Sequence, residues 1–412
     1  VVIPMQQNSD VLKKVNFLVG SAEYIENSQN TPAMQLFDKR VVSFLDIVSH
    51  ELLSERDVKQ YSDVVSWAFW VRKASILKEK TRYENKSKLG RGVALHIAPS
   101  NVPVNFAVSL TSSLLAGNIS IVRVSSKDFE QVTLICNAIN KVLLEDEYAF
   151  LKKYIVIVRY EHDLLVNDYL SSICDLRIVW GGNRTVEELR KSSLPPRSIE
   201  MTFPDRYSLS IISSNEYLKQ DPKKVASLFY IDTYFTDQNA CSSPRLIVWT
   251  GSKVKDAQDI FFKALKSLVD EKYSMSAILS VDKLNALCEL ALTHKNVNKV
   301  DSDNVVMRVS LKELSDDVLD YKMSGGYFFE YVTNDLKDLV PILKKQCQTI
   351  SYLGVDPNAI QALVLQNGVR GVDRIVPLGH TMDLEFFWDG YDMIDAMSRN
   401  VDVITFSNNK VV

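Results

Sequence analysis

From Gly92 onward the chain repeats one pattern: a short apolar run rich in β-branched residues, then a longer amphipathic stretch. Residues 92–98, 119–124, 154–158 and 176–180 read as strands. Between them, residues 103–116, 129–144 and 162–172 read as helices. The first of these helices has Pro103 in its opening turn and Gly117-Asn118 as its stop. Short, mostly apolar, β-branched runs suit strands covered on both faces, so the pattern predicts an α/β fold with parallel sheets wrapped by helices. A second series follows at 207–212, 245–249, 327–332 and 348–353. At 412 residues the chain is too long for one ordinary core, and two Rossmann-like domains are the simplest account. The break is expected near 200–206, after the proline-bearing stretch 192–197. Residues 8–85 read as mostly helical, with apolar residues at helical spacing in 41–45 and 64–77.

Composition narrows the function classes. A net charge of −3 with no run of like charge argues against nucleic acid or an anionic membrane surface as the main partner. No segment reaches the roughly 18 continuous apolar residues of a membrane span. Residues 1–10 lack a basic stretch followed by an apolar one, so no signal peptide is expected. The five cysteines are odd in number, far apart and without a C-x-x-C pair, which points away from a disulfide framework or a zinc site. A reducing cytoplasm is the expected compartment, with no metal.

Three short stretches carry residues suited to chemistry. Cys241 lies in Asp237-Gln238-Asn239-Ala240-Cys241-Ser242-Ser243-Pro244, a polar turn just before a very apolar strand. A thiol at a strand mouth is accessible as a nucleophile; the alternative is a spacer thiol in the core. Cys136, Cys174, Cys288 and Cys347 fall inside apolar patterns and read as core. In Ala98-Pro99-Ser100-Asn101-Val102-Pro103 an amide sits where a strand meets a helix, as an oxyanion donor or a helix cap. In Trp180-Gly181-Gly182-Asn183 paired glycines follow a strand, where backbone approaches phosphate closely, although no G-x-G-x-x-G is present.

Taken in order, these pieces resemble the aldehyde dehydrogenase superfamily. Its P-x-N-x-P turn corresponds to Pro99-Ser100-Asn101-Val102-Pro103, its A-G-N helix end to Ala116-Gly117-Asn118, and its basic strand residue to Arg123. The glycine turn corresponds to Trp180-Gly181-Gly182, and the G-Q-x-C nucleophile segment to Asp237-Gln238-Asn239-Ala240-Cys241. Within that superfamily the chain resembles the acyl-CoA reductases of the bacterial bioluminescence fatty-acid reductase complex (LuxC-type). There the likeness extends through Gly371-Val372-Asp373-Arg374-Ile375-Val376-Pro377-Leu378-Gly379 and Trp388-Asp389-Gly390.

The resemblance implies a cofactor-binding domain over 1–205, with a helical part at 1–85, and a catalytic domain over 206–385. Residues 386–412 would return to the first domain. It implies Cys241 as the acylated nucleophile, Asn101 as oxyanion donor, and Arg123, Ser126, Gly181 and Gly182 as cofactor contacts. Glu200 stands where many aldehyde dehydrogenases keep a general base, but Thr202-Phe203-Pro204 replaces the Gly-Gly-Lys that follows it there. Arg123 replaces the usual lysine, and Ser126 the usual acid three positions on, which favours NADPH over NADH; Asp128 is the complication. The implied reaction is NADPH-dependent reduction of a long-chain acyl-CoA to the fatty aldehyde through an acyl-cysteine. An acyl-protein synthetase or other acyl-transferring protein is the implied partner, with a homo-oligomer as the implied assembly. Two enzyme alternatives stay open, an NAD-dependent hydrolytic aldehyde dehydrogenase and a non-redox acyltransferase using Cys241. A degenerate scaffold without activity is the third.

Overall fold

The runs that read as strands are buried on both faces, and this decides how they pair. A computed structural model describes residues 10–404 apart from 85, 316, 318 and 320–322. Its contacts divide the chain into two units, one running to Pro204 and resuming at Leu384, the other spanning Asp205–Asp383.

The first unit contains β1 (Asn16–Val19), β2 (Lys88–Gly90), β3 (Val93–Ile97), β4 (Ile119–Arg123), β5 (Ile155–Arg159), β6 (Leu176–Trp180) and β7 (Ile199–Phe203). Six of them form a sheet in the order β1-β5-β4-β3-β6-β7, parallel throughout except for β1 against β5. Every residue of β3, β4 and β6 is buried, as strands with helices on both sides require. The helix Glu130–Leu143 turns Val132, Ile135, Cys136, Ile139 and Val142 inward at helical spacing.

Two expectations need correcting here. The stretch read as mostly helical does hold the helices Lys39–Ser54, Ser62–Trp70 and Lys73–Lys80, but it also holds β1. Four residues with only Val19 fully buried carry no period of their own; pairing with distant β5 makes them a strand. The helix after β3 runs Asn105–Leu115, so Pro103 precedes it instead of opening it. The expected stop holds. Gly117 has a φ of +90°, and a Cβ there would lie 2.1 Å from the Met34 carbonyl oxygen. Buried Asn118 then accepts the Arg91 and Gly92 N–H groups and donates to the Met397 carbonyl, tying the returning segment down.

That returning segment supplies Phe386, Met393, Ile394 and Met397, all buried. Its hairpin pairs β15 (Phe387–Trp388) with β16 (Tyr391–Asp392), and β17 (Ser398–Asn400) pairs with β2. The hairpin turn is Asp389-Gly390, both with positive φ, the combination a two-residue turn favours.

The second unit contains β8 (Tyr207–Ser213), β9 (Pro244–Thr250), β10 (Val297–Ser302), β11 (Met307–Leu311), β12 (Tyr327–Val332), β13 (Cys347–Leu353) and β14 (Arg374–Pro377). They form one sheet in the order β10-β11-β12-β9-β8-β13-β14, with only β10 antiparallel to its neighbour. Two of its helices start alike: Asp221 and Asp356 accept the N–H groups of Lys223 and Asn358, and Pro222 and Pro357 fill the first turn. Among the described residues, no helix is long and apolar enough to cross a membrane, and no cluster of three His, Cys, Asp or Glu would hold a metal.

Candidate active site

The turn before Cys241 is bent against local preference. Asp237 and Gln238 both take left-handed backbone, with φ of 52° and 59°, a conformation that costs non-glycine residues about 1 kcal/mol or more each. Buried Gln238 holds it in place. Its side-chain N–H groups donate to the carbonyls of Pro244 and Tyr327, each at 3.0 Å. Its oxygen accepts the N–H groups of Gly326 and Tyr327 at 3.0 and 2.9 Å. The Gly325 N–H donates to the Asp237 carbonyl. Gly326 has to be glycine: its φ is +82°, and a Cβ would come within 2.2 Å of both the Tyr234 hydroxyl and the Val305 carbonyl. Lys283, fully buried, donates to the carbonyls of Asn304, Gly325 and Gly326, and burial pushes its ammonium down to about 8.

Cys241 itself is half-buried. The Gln348 side-chain N–H donates to its sulfur at 3.1 Å, and the Ser208 hydroxyl donates to its carbonyl at 2.8 Å. Next to it, the Ser242 hydroxyl donates to the Met382 sulfur at 3.3 Å. The loop bearing Met382 is anchored by fully buried Asp232, which accepts the N–H groups of Gly379 and Thr381 and the Thr381 hydroxyl. Burial raises the Asp232 carboxyl to about 6, against the pull of those three donors. Arg245, at the start of β9, is also buried; burial lowers its pKa, while charge interaction with Cys241 and Asp205 raises it.

The other thiols differ. Burial pushes Cys136, Cys174 and Cys347 up to about 12. Cys288 does not belong to the core as expected. It is exposed on the helix Ala277–Thr293, which buries only Lys283 and Leu290.

In the first unit the sheet order creates a natural crevice. β3 and β6 are neighbours in the sheet, but β3 leads on to β4 on one side and β6 to β7 on the other. Ligands of such sheets bind beyond the carboxyl ends of the strands at this reversal. Asn101 follows the end of β3 and Gly181-Gly182 follow β6 directly. Asn101 is exposed, and the helix after it has Val104 at its N-cap. A Cβ on Gly181 would press within 3.0 Å of the Thr185 side chain.

Beneath the crevice, Ser109 accepts the Trp180 indole N–H at 3.0 Å and shares a hydrogen bond with His96 Nδ1 at 2.7 Å. Full burial pushes the His96 imidazole down to about 3, so it is neutral. Trp180 stacks flat on Phe203 with ring centres 3.7 Å apart.

Arg123 closes β4. Its guanidinium donates to the Tyr160 carbonyl at 3.1 Å and lies over the Tyr160 ring, while its buried Nε has no partner. Ser126 is exposed beyond it. Asp128 turns to Arg159, pairing at 2.9 Å. Arg159 ends β5 one residue past Val158, the residue that pairs with Arg123. The unpartnered Arg123 Nε fits an anionic ligand.

Glu200 lies among arginines. It sits on β7 opposite Arg177, and its two oxygens face separate guanidiniums, Arg177 at 2.5 Å and Arg190 at 2.7 Å. Both oxygens are thus engaged with guanidiniums, an arrangement unlike that of a carboxylate placed to take a proton from substrate or water.

The sequence profile of the family described as Acyl-CoA reductase (LuxC) matches residues 72–400. The chain belongs to the LuxC acyl-CoA reductase family. Relatives in this family include the long-chain acyl-protein thioester reductase of Aliivibrio fischeri, 24% identical over 299 residues, covering 70% of this chain and 58% of that protein. Another is the long-chain acyl-protein thioester reductase 2 of Photobacterium leiognathi, 28% identical over 179 residues, covering 43% of this chain and 35% of that protein. This LuxC-family chain therefore spans three-fifths or less of the length of these relatives. Solved structures give the same fold as the expectation: an aldehyde dehydrogenase-like α/β architecture. Glyceraldehyde-3-phosphate dehydrogenase GapN from Methanocaldococcus jannaschii, complexed with NADP, aligns with a TM-score of 0.67 at 13% identity, covering 96% of this chain and 94% of that one. Aldehyde dehydrogenase 21 from Physcomitrella patens aligns with a TM-score of 0.67 at 11% identity, covering 100% and 92%.

Proposed function

We propose that this chain reduces long-chain acyl thioesters, acyl-CoA among them, to aldehydes with NADPH, through an acyl group held on Cys241. The observation that carries the reading is the Cys241 turn: a half-exposed thiol on backbone held by Gln238, in a chain whose three buried thiols are pushed up by burial. The Cys241 thiolate attacks the thioester carbonyl. Its sulfur–carbon bond forms as the bond to the departing sulfur breaks, and that sulfur leaves with the electron pair. One thiolate replaces another, so the step needs no strong base, in keeping with Glu200 being tied to two arginines. By the family resemblance, Asn101 donates to the developing oxyanion. Arg123, Ser126, Gly181 and Gly182 would hold the cofactor, which supplies a hydride when bound.

The relatives' names speak of acyl-protein thioesters, which supports an acylated protein as acyl donor and as the partner class. The preference for NADPH rests on Arg123 and on Ser126 where an acid would repel the 2′-phosphate. Incubation with acyl-CoA without cofactor should give one acyl adduct by intact mass, absent in Cys241→Ala; an adduct that survives this change overturns the reading. Comparing kcat/KM for NADPH and NADH checks the cofactor, and equal values or an NADH preference overturn that part.

A further inference from the structure

We propose that the side-chain amide of Gln348 is a catalytic donor in this chain, hydrogen-bonding the Cys241 sulfur and holding it as the thiolate that receives the acyl group. The inference rests on the reading of Cys241 as acyl acceptor and adds a residue that no sequence motif singles out. Gln348 is fully buried at the start of β13, far along the chain from Cys241. The Thr349 hydroxyl donates to its oxygen at 3.3 Å, which leaves the amide nitrogen turned to the sulfur at 3.1 Å.

A buried amide N–H needs an acceptor. A neutral thiol is a weak one, whereas a thiolate is charged and takes a much stronger hydrogen bond. The contact therefore stabilises the charged sulfur more than the neutral one. Arg245, buried and in charge interaction with Cys241, acts in the same direction. Cys347, next to Gln348 on the same strand, is the contrast: it is fully buried, and burial dominates, pushing its thiol up. When the acyl transfer occurs, the sulfur–carbon bond forms, the incoming thioester's carbon–sulfur bond breaks, and the negative charge departs with the leaving sulfur. The Gln348 contact thus favours the enzyme before acylation over the acylated enzyme, and favours the sulfur again as it becomes a leaving group.

The test needs no acyl donor. Iodoacetamide alkylation of the full chain, mapped by peptide mass across about pH 5 to pH 10, gives a midpoint for Cys241 and, as an internal reference, for exposed Cys288. The wild-type midpoint of Cys241 should lie below that of Cys288. Gln348→Met should raise it by about one unit, slowing alkylation about tenfold at pH below both midpoints. Gln348→Glu should raise it further by placing a carboxylate against the sulfur. The Cys288 midpoint should stay fixed. A Cys241 midpoint unmoved in both variants overturns the proposal. If neither variant folds, a wild-type Cys241 midpoint at or above that of Cys288 overturns it as well. A shifted midpoint without an acyl adduct from acyl-CoA would fail the acyl-acceptor reading and keep the Gln348 contact; an adduct without a shift would do the reverse.

Discussion

The two sheet ends that carry the candidate groups are stiffened in opposite ways. Around Cys241, buried polar side chains hold the backbone: Gln238, Lys283 and Asp232 make ten hydrogen bonds to turns brought in from elsewhere in the unit. At the β3–β6 crevice, strand order shapes the site, backed by an aromatic stack and a neutral imidazole. The first arrangement fixes a thiol on unfavourable backbone and concentrates that work in single residues. The second leaves a glycine-lined opening for a larger ligand and spreads the work over many apolar contacts. Single substitutions should therefore damage folding at the cysteine turn and chemistry at the crevice.

The largest effect tests this directly. Gln238→Ala leaves two buried N–H groups and two buried carbonyls without the partner they have now, and should cost about 4 kcal/mol in urea unfolding. A loss under about 1 kcal/mol would break the comparison. Asn101→Ala should leave stability nearly untouched, since Asn101 is exposed, and lower turnover by roughly 10²–10³ with little change in substrate binding. Near-normal turnover would remove Asn101 from the chemistry.

Asp232→Asn gives a pH signature. The folded carboxyl titrates near 6, above its unfolded value of about 3.8. Its stabilisation is therefore fully present below pH 3.8 and lost as pH rises through 6. The stability of the wild type relative to the variant should rise by up to about 3 kcal/mol on acidification through that window. Urea midpoints taken from neutral pH down to about 4 check this. A constant difference would mean the carboxyl does not titrate in that window.

Much of this was legible from local pattern. The strands Leu176–Trp180 and Tyr327–Val332 are legible at their observed ends, because each has one charged residue among otherwise apolar ones and is bounded by polar turns. The missed strands lack that signal. Ile199–Phe203 has polar Glu200 and Thr202 among its five residues and follows a polar, proline-bearing stretch, so it reads as a domain break; it becomes a strand by pairing with β6. Val297–Ser302 is largely polar and gains its place from antiparallel pairing with β11. Cys241 was legible because its turn is local. Gln348 was not, since its contact to Cys241 spans 107 positions. Cys288 misled because the helix Ala277–Thr293 is apolar by composition yet leaves Ile278, Val281, Leu284 and Leu292 exposed.

The segment that returns to the first unit bears on how the protein is made. The sequence before Pro204 leaves the ribosome long before Phe386, Ile394 and Met397 do, yet these three residues complete its core. The carbonyl that Asn118 needs also comes from Met397. The first half must therefore wait, with apolar surface uncovered, while the whole of Asp205–Asp383 is translated. The inserted unit is contiguous and has no such delay. During synthesis the order of completion thus runs opposite to the order of emergence, and a nascent chain stalled before residue 384 holds one finished unit and one open one.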